Sequence, residues 1–569
     1  MNHPIPAIVA QSAVRRLPRA ALLLLCAAYV ITGFIGRNPW KNADITALGY
    51  MMALLADGAD WMNPRLLGLA PEVEALLPYW LGAWAIKLAP SFVPLDLAAR
   101  VAFALLLLVT LAATWYGTYQ LARSPRAQPV AFAFGGEAQP ADYARAMADG
   151  GLLALLACLG LAQLSHETTP AVAQLCFTAL AFYASARLTQ PGTAPILISF
   201  AALLGLALSG APALAMLFGL GGILMLRLDP SNGEDAAPVP KATALQLGGV
   251  VLLVGAVATA MDLWRWRVEL PGLSWNEWRS LGRLLLWFTW PAWPLALWTV
   301  WRWRHQVLGV QTSRHLLLPL WYLLVTLGCT LTTRSADRSL LLALPALAAL
   351  AAFALPTLKR GVSAVIDWFT LLFFSGCGII VWVIWIAMQT GIPRQPAANV
   401  ARLAPGFEHE FSSLPFALAV LATVAWGWLV KWRVGRHPAA IWKSLVLPAG
   451  GAVLCWVLVL TLWLPLLDYA RSYAPMMRQI TRSVPSSECV EVLGLSRSQI
   501  AALQFHSPLN LRAAGDAVQC PVLLANGEAL AKGEHTIDVT QWAMWSIVRR
   551  PTDRSEHIQI YRRAPVREP

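Results

Sequence analysis

The residue types able to do chemistry concentrate in one stretch, Asn38 to Pro78, NPWKNADITALGYMMALLADGADWMNPRLLGLAPEVEALLP. It sets Asp44, Asp57, Asp60, Glu72 and Glu74 among Trp, Pro and Arg65, between two apolar segments. A carboxylate in such a setting can serve as a general base, or can stabilise positive charge developing at a reacting carbon. Taken one at a time, each acid also fits a plainer role, a hydrated loop residue that keeps the loop out of lipid. The stretch Ile45 to Leu55 is amphipathic and is expected to lie along a membrane interface.

The rest of the chain explains why the loop meets a membrane at all. Of its 569 residues 57% are hydrophobic and only 13% charged, with a mean hydropathy of +0.56. Charged side chains supply about a quarter of an ordinary soluble chain, so this is a polytopic α-helical membrane protein. The formal charge of +13 would suggest nucleic acid in a soluble protein. Here Lys and Arg cluster in short loops between apolar runs, which is a topological signal. Many of the 27 Trp residues, among them Trp264, Trp278, Trp301 and Trp432, sit near the ends of apolar runs, as interfacial rings do.

After a basic start (Arg15, Arg16) a first run covers about 18–36 and is read as a retained helix. Further runs lie near 95–121, 147–164, 169–187, 192–209, 211–227, 243–263, 281–301, 315–332, 339–356, 362–388, 414–431 and 442–466. That is about thirteen spans at some 17–25 residues each. With the N-terminus in the cytoplasm, the basic groups Arg123 with Arg126, Arg227 with Lys241, Arg302 with Arg304, Lys359 with Arg360, and Lys431 with Arg433 all fall inside. The reverse orientation breaks the positive-inside rule at nearly every loop. The loop 37–94 and the C-terminus are therefore expected in the periplasm, outside a bacterial inner membrane. Residues 1–466 form the membrane domain in this reading, and 467–569 a small α/β domain with strand-like runs CVEVLGL, PVLLAN, AMWSIV and HIQIYR around the helical SRSQIAALQF. Its Cys489 and Cys520 are candidates for a disulfide, since a periplasm is oxidising.

No Walker loop, HExxH, GxSxG or CxxC is present. Outside the first loop, Arg334 and Arg338 in TTRSADR can clamp a phosphate with directed donors, or simply flank a helix end. His166-Glu167 sits in a short turn before Pro170 and can touch substrate; it is too small a set for a zinc site. Arg265, Arg267, Glu269 and Glu277 among Trp residues read as belt anchoring more readily than as a carbohydrate groove.

From Asp44 to Gly82 the chain resembles the first periplasmic loop of membrane-embedded GT-C glycosyltransferases, specifically the aminoarabinose lipid A transferase-like family, relatives of the protein O-mannosyltransferases. The family's catalytic Asp falls on Asp44, its Asp-Trp step on Asp60-Trp61, its Pro-Arg-Leu step on Pro64-Arg65-Leu66, and its Tyr-Trp-Leu-Gly helix start on Tyr79 to Gly82. The chain departs from the pattern twice. The second acid of the opening pair is Ile45, and the acidic-Lys-Pro-Pro motif is replaced by Glu72-Val73-Glu74-Ala75-Leu76, without its Lys. The resemblance implies an inverting transferase that takes a sugar from a polyprenyl-phosphate carrier and passes it to a lipid, glycan or protein acceptor. Asp44 would be its catalytic carboxylate, and Arg65, Glu72, Glu74, His166, Glu167, Arg334 and Arg338 its substrate contacts. It implies no certain cofactor and leaves a divalent metal open. Rival readings are an O-antigen ligase or polymerase, and a transporter or a binder of lipid-linked sugar without transfer. Nucleic acid has no module here.

Overall fold

The computed structural model describes residues 7–190, 192–228, 241–264, 269–270, 272, 274–308, 313–333, 336–435, 440–485, 488–515, 520–527 and 541–563. Six helices among these are long and apolar enough to cross a membrane: Leu95–Ala122, Ala242–Ala260, Arg314–Leu331, Arg360–Thr390, Ser413–Val434 and Ile441–Leu462. Arg19–Phe34, Ala194–Leu208, Pro212–Leu228 and Leu344–Thr357 are apolar but shorter. The count falls below the thirteen runs of the sequence because several runs are broken. The run 147–164 divides into Pro140–Ala157 and Leu161–Leu164. The run 281–301 divides into Trp275–Phe288 and Ala292–Arg302 around Pro291, and 339–356 into Ala336–Leu341 and Leu344–Ala354 ahead of Pro345. A proline has no N–H for the helical ladder and disfavours helical geometry in the residue before it, so it interrupts the helix without ending the apolar run.

The chain forms two compact units. The first, residues 1–34, 103–380 and 415–461, is helical among its described residues. Its interior is built on small side chains. Every residue of Leu344–Ala354, LPALAALAAFA, is buried. A Cβ on Gly150 would lie 2.4 Å from Leu355, and one on Gly151 would lie 3.0 Å from Thr118. Such close helix contacts are how apolar helices pack where no hydrophobic effect drives them together.

The second unit joins residues 35–102, 381–414 and 462–569. The sequence reading drew its domain boundary at 466/467; the packing instead groups the first loop with the end of the chain. A five-stranded sheet among the described residues has the order β2-β1-β3-β5-β4. The strands are β1 Cys489–Leu493, β2 Asn510–Ala513, β3 Val522–Ala525, β4 Trp542–Arg550 and β5 Asp553–Arg563. β1 runs parallel to β2 and β3, and β5 antiparallel to β3 and β4. The helix Arg497–His506 makes the β1-to-β2 crossover and starts on a capping box of Ser496 with Gln499, which satisfies backbone N–H groups at its first turn. Cys489 and Cys520 are disulfide-bonded with Cα atoms 5.3 Å apart.

The crossover helix explains the fate of Ile45 to Leu55. That stretch forms the helix Ala43–Ala53, but Asp44, Ile45, Ala47, Leu48, Gly49, Tyr50 and Met51 are all buried, so it is an interior helix and not an interfacial one. One side meets the crossover helix, where a Cβ on Gly49 would lie 2.5 Å from the Ala501 Cβ. Another meets the helix Leu77–Leu88, where a Cβ on Gly82 would lie 2.2 Å from the Met51 sulfur. Gly49→Val is expected to pry the first contact open and to destabilise the protein by about 1–3 kcal/mol, the usual range for overpacking. A lowered melting temperature in detergent checks this.

Candidate active site

The residues of the first loop form a connected cluster in the second unit. Asn42 takes a positive φ of 67° and turns the chain into the helix Ala43–Ala53, which places Asp44 in its first turn. The positive end of the helix dipole favours a carboxylate there. Asp44 is 1% exposed. Its Oδ2 accepts from Arg37 Nη2 at 3.0 Å and from the Trp40 amide at 3.2 Å. Arg37 is itself buried, and its carbonyl accepts from Arg100 Nη1. Arg100 pairs with Asp96 at 3.1 Å, one helical turn back.

Trp40 is the hub. The Arg37 guanidinium stands 4.8 Å from its ring centroid and that of Arg471 stands 5.1 Å away, both within cation–π range. Its indole Nε1 donates to Asp468 Oδ1 at 2.8 Å. Asp468 Oδ2 accepts from the Asn38 amide at 3.0 Å. Burial pushes the Asp468 carboxyl up to about 6, against the hydrogen bonds from Trp40 and Asn38 and the charges of Arg37 and Arg100. Lys41 N donates to the Arg471 carbonyl at 2.7 Å, and Lys41 Nζ lies 3.6 Å from Asp553 and 3.8 Å from Glu556.

The other loop residues are more exposed. Arg65 curls back on its own turn, donating to Asn63 Oδ1 and the Gly68 carbonyl. Glu72 lies 3.7 Å from Arg497, whose Nε donates to the Ala70 carbonyl at 2.7 Å. Glu74 is half-buried.

His166, Glu167 and Arg338 belong to the first unit. His166 is 1% exposed and packs among Tyr29, Phe34 and Trp456. Its Nε2 faces the Tyr29 carbonyl at 3.0 Å, while Nδ1 faces Ser165 Oγ and the Ala162 carbonyl. Both ring nitrogens are thus engaged by the protein, which suits a brace of the turn. A Cβ on Gly33 would fall 2.1 Å from this ring. Glu167 is buried and accepts from Arg338 Nη2 at 2.9 Å and from Gln163 Nε2 at 3.3 Å. A quarter of the Arg338 side chain remains exposed. Arg334, Arg265 and Arg267 lie outside the described residues. Among the described residues no group of three or more His, Cys, Asp and Glu could hold a metal ion.

The sequence reading missed Arg37, Trp40, Arg100, Arg471 and Asp468. Only Arg100 left a signal, a cation inside an otherwise apolar run, which by itself marks a functional or paired position. Two partners of Trp40, Asp468 and Arg471, lie more than 400 residues downstream, beyond the reach of any spacing argument.

No protein-family model matches the chain, and no curated protein matches it by sequence. Solved structures do match. The crystal structure of ArnT from Cupriavidus metallidurans in the apo state is similar over 97% of this chain and 99% of that one, at 14% identity and a TM-score of 0.61. The same protein bound to undecaprenyl phosphate covers 97% and 100%, at 13% identity and a TM-score of 0.58. The likeness spans nearly both chains from end to end, and in fold this protein is similar to ArnT.

Proposed function

We propose that the chain is a GT-C-type glycosyltransferase that moves a sugar from a polyprenyl-phosphate donor to an acceptor on the periplasmic side of the bacterial inner membrane. One observation carries the reading: the carboxylate matched to the family's catalytic Asp is Asp44, buried and held by Arg37 and the Trp40 amide. Fold likeness to an ArnT crystallised with undecaprenyl phosphate supports the donor class. The topology is that of about thirteen spans, with the N-terminus in the cytoplasm and the C-terminal domain in the periplasm.

In this mechanism an acceptor hydroxyl attacks the anomeric carbon. The bond from that carbon to the phosphate oxygen breaks on the opposite face, and the electron pair leaves with the polyprenyl phosphate. Configuration inverts. Asp44 takes the hydroxyl proton and stabilises the oxocarbenium-like transition state; for a phosphate acceptor only the electrostatic part is needed. Arg338, with Arg334, contacts the donor phosphate, and Arg65, Glu72 and Glu74 contact the substrates. Glu167 orients Arg338, and His166 braces the turn that carries Glu167.

The test uses purified protein in proteoliposomes with radiolabelled undecaprenyl-phosphate sugars and an envelope acceptor fraction. Transfer of label supports the reading. Donor binding without transfer would sink it in favour of a lipid-linked sugar binder, the outcome to which Ile45 and the missing Lys point. No donor binding at all would favour a transporter. Arg338→Lys keeps the charge opposite Glu167 but loses the planar fork. It is expected to raise the KM for the donor about tenfold or more, the worth of one hydrogen bond to a charged group.

A further inference from the structure

We propose that Asp468 is a positioning residue for this reaction, fixing the Trp40 ring and, through the Trp40 amide, the carboxylate of Asp44. The inference rests on the reading that Asp44 is the reactive carboxylate. Its geometry is independent of that reading.

Where relatives of the loop carry a second acid beside the first, this chain has Ile45, which is fully buried. A second carboxylate nevertheless reaches the same turn from the helix Leu464–Arg471. Asp468 grips the turn at Asn38 N and at Trp40 Nε1. Asp44 grips the same Trp40 from its backbone N–H. The indole thus lies between two carboxylates, one on its ring nitrogen and one on its amide, while two guanidiniums border its ring. The backbone reinforces the clamp: Lys41 N bonds to the Arg471 carbonyl, and Trp40 bridges to Ser472. A shift of the ring moves the amide that holds Asp44, and misplacing a reacting group by about 1 Å can cost a hundredfold in rate.

Protonation would loosen this grip. An ionised carboxylate only accepts, which suits the N–H groups aimed at it; a protonated one presents an O–H to donors. The charged groups around Asp468 are Arg471 on its own helix, Arg37 and Lys41 on the turn, Asp44 on the helix Ala43–Ala53, and Asp96 with Arg100 on the helix Leu95–Ala122. From the β4–β5 hairpin, Arg550 donates to the Ala470 carbonyl, and Asp553 and Glu556 pair with Lys41. Burial raises the Asp468 carboxyl to about 6, so it changes charge between about pH 5 and 7. The sign follows. The folded protein binds this proton more tightly than the unfolded chain, so Asp468 lowers stability as pH rises from about 4 to 6, while its ionised form is the one that holds Trp40.

The test is full-length protein in nanodiscs labelled with 5-fluorotryptophan, the Trp40 resonance being assigned by its loss in Trp40→Phe. In wild type that 19F signal is expected to shift with an apparent midpoint near 6, and the kcat for transfer to fall on the same acid limb. In Asp468→Asn the signal stays flat through this range. At pH 7.5 the variant's kcat drops about ten- to a hundredfold with donor KM little changed, and the acid limb disappears. A Trp40 signal that does not move between pH 5 and 7 in wild type overturns the proposal, as does an Asp468→Asn variant that keeps the wild-type acid limb. A Trp40 signal that titrates as expected, in a protein that transfers no sugar at any pH, overturns the transferase reading and with it any role of Asp468 in transfer, though the coupling of Asp468 to Trp40 would then have been measured.

Discussion

Asp44→Asn is expected to lower sugar transfer by about two to three orders of magnitude. Asn has nearly the shape of Asp and keeps an oxygen for Arg37 Nη2 and the Trp40 amide, the two donors seen on Asp44 Oδ2. What it lacks is a negative charge and the capacity to take a proton. Arg37 then keeps its hydrogen bond but loses its buried counter-charge, so the detergent melting temperature is expected to fall. Read on the folded fraction, binding of labelled undecaprenyl-phosphate sugar is expected to stay near wild type while kcat collapses. If melting temperature falls and the residual folded fraction transfers normally, Asp44 is a structural ion-pair partner and the catalytic assignment fails. If the acceptor is itself a phosphate, already ionised, the loss is expected at the smaller end, since only electrostatic stabilisation is removed.

The second large effect is on stability. Arg37 and Asp44 are 2% and 1% exposed at the side chain. Two charges taken this far from water each carry a desolvation cost that only their mutual contact and further hydrogen bonds offset. Arg37→Ala leaves Asp44 buried without its guanidinium, and is expected to cost about 3–5 kcal/mol. Arg37→Met with Asp44→Leu removes both charges and keeps apolar volume. It is expected to regain most of that stability while remaining inactive. Thermal or chemical unfolding of the single and double variants measures the coupling directly. A double variant as unstable as Arg37→Ala alone would show that the Arg37 side chain acts through its ring contact with Trp40 and not through Asp44.

How far the sequence carried these conclusions differs by residue. The membrane class followed from composition. Asp44 was reached through the resemblance of the stretch Asp44 to Gly82 to a family's first loop; taken by itself it did not stand out from the other loop acids. The helix Ala43–Ala53 was legible as a helix but not as a buried one. Its faces are covered by Met51 against Gly82 and by Gly49 against Ala501, and the second of these contacts spans most of the chain. Asp468 falls at the start of the segment 467–569 and was not singled out. Nothing within ten residues of it distinguishes a carboxylate that grips Trp40 from one that faces water. Hydropathy marks apolar runs but not the breaks within them at Pro291 and ahead of Pro345, since it ignores whether a backbone can stay helical. Arg338 was singled out as a phosphate clamp on sequence grounds; its contact with Glu167, itself drawn from a different turn, needed coordinates.

The crossover helix seated on Gly49 has a consequence for biosynthesis. The Asp44 turn leaves the ribosome more than 400 residues ahead of the partners that its loop finds at Asp468, Arg471, Ser472 and Ala501. Pairings this distant are slow to form, because the intervening loop must be closed before any contact rewards it. The nascent protein therefore inserts helix after helix while its carboxylate loop waits unfinished. A message cut short between the last apolar run, near 442–466, and the crossover helix would yield a chain with every apolar run in place and no completed loop. Completion of the loop would then wait on synthesis of the sheet domain, not on membrane insertion of the apolar runs.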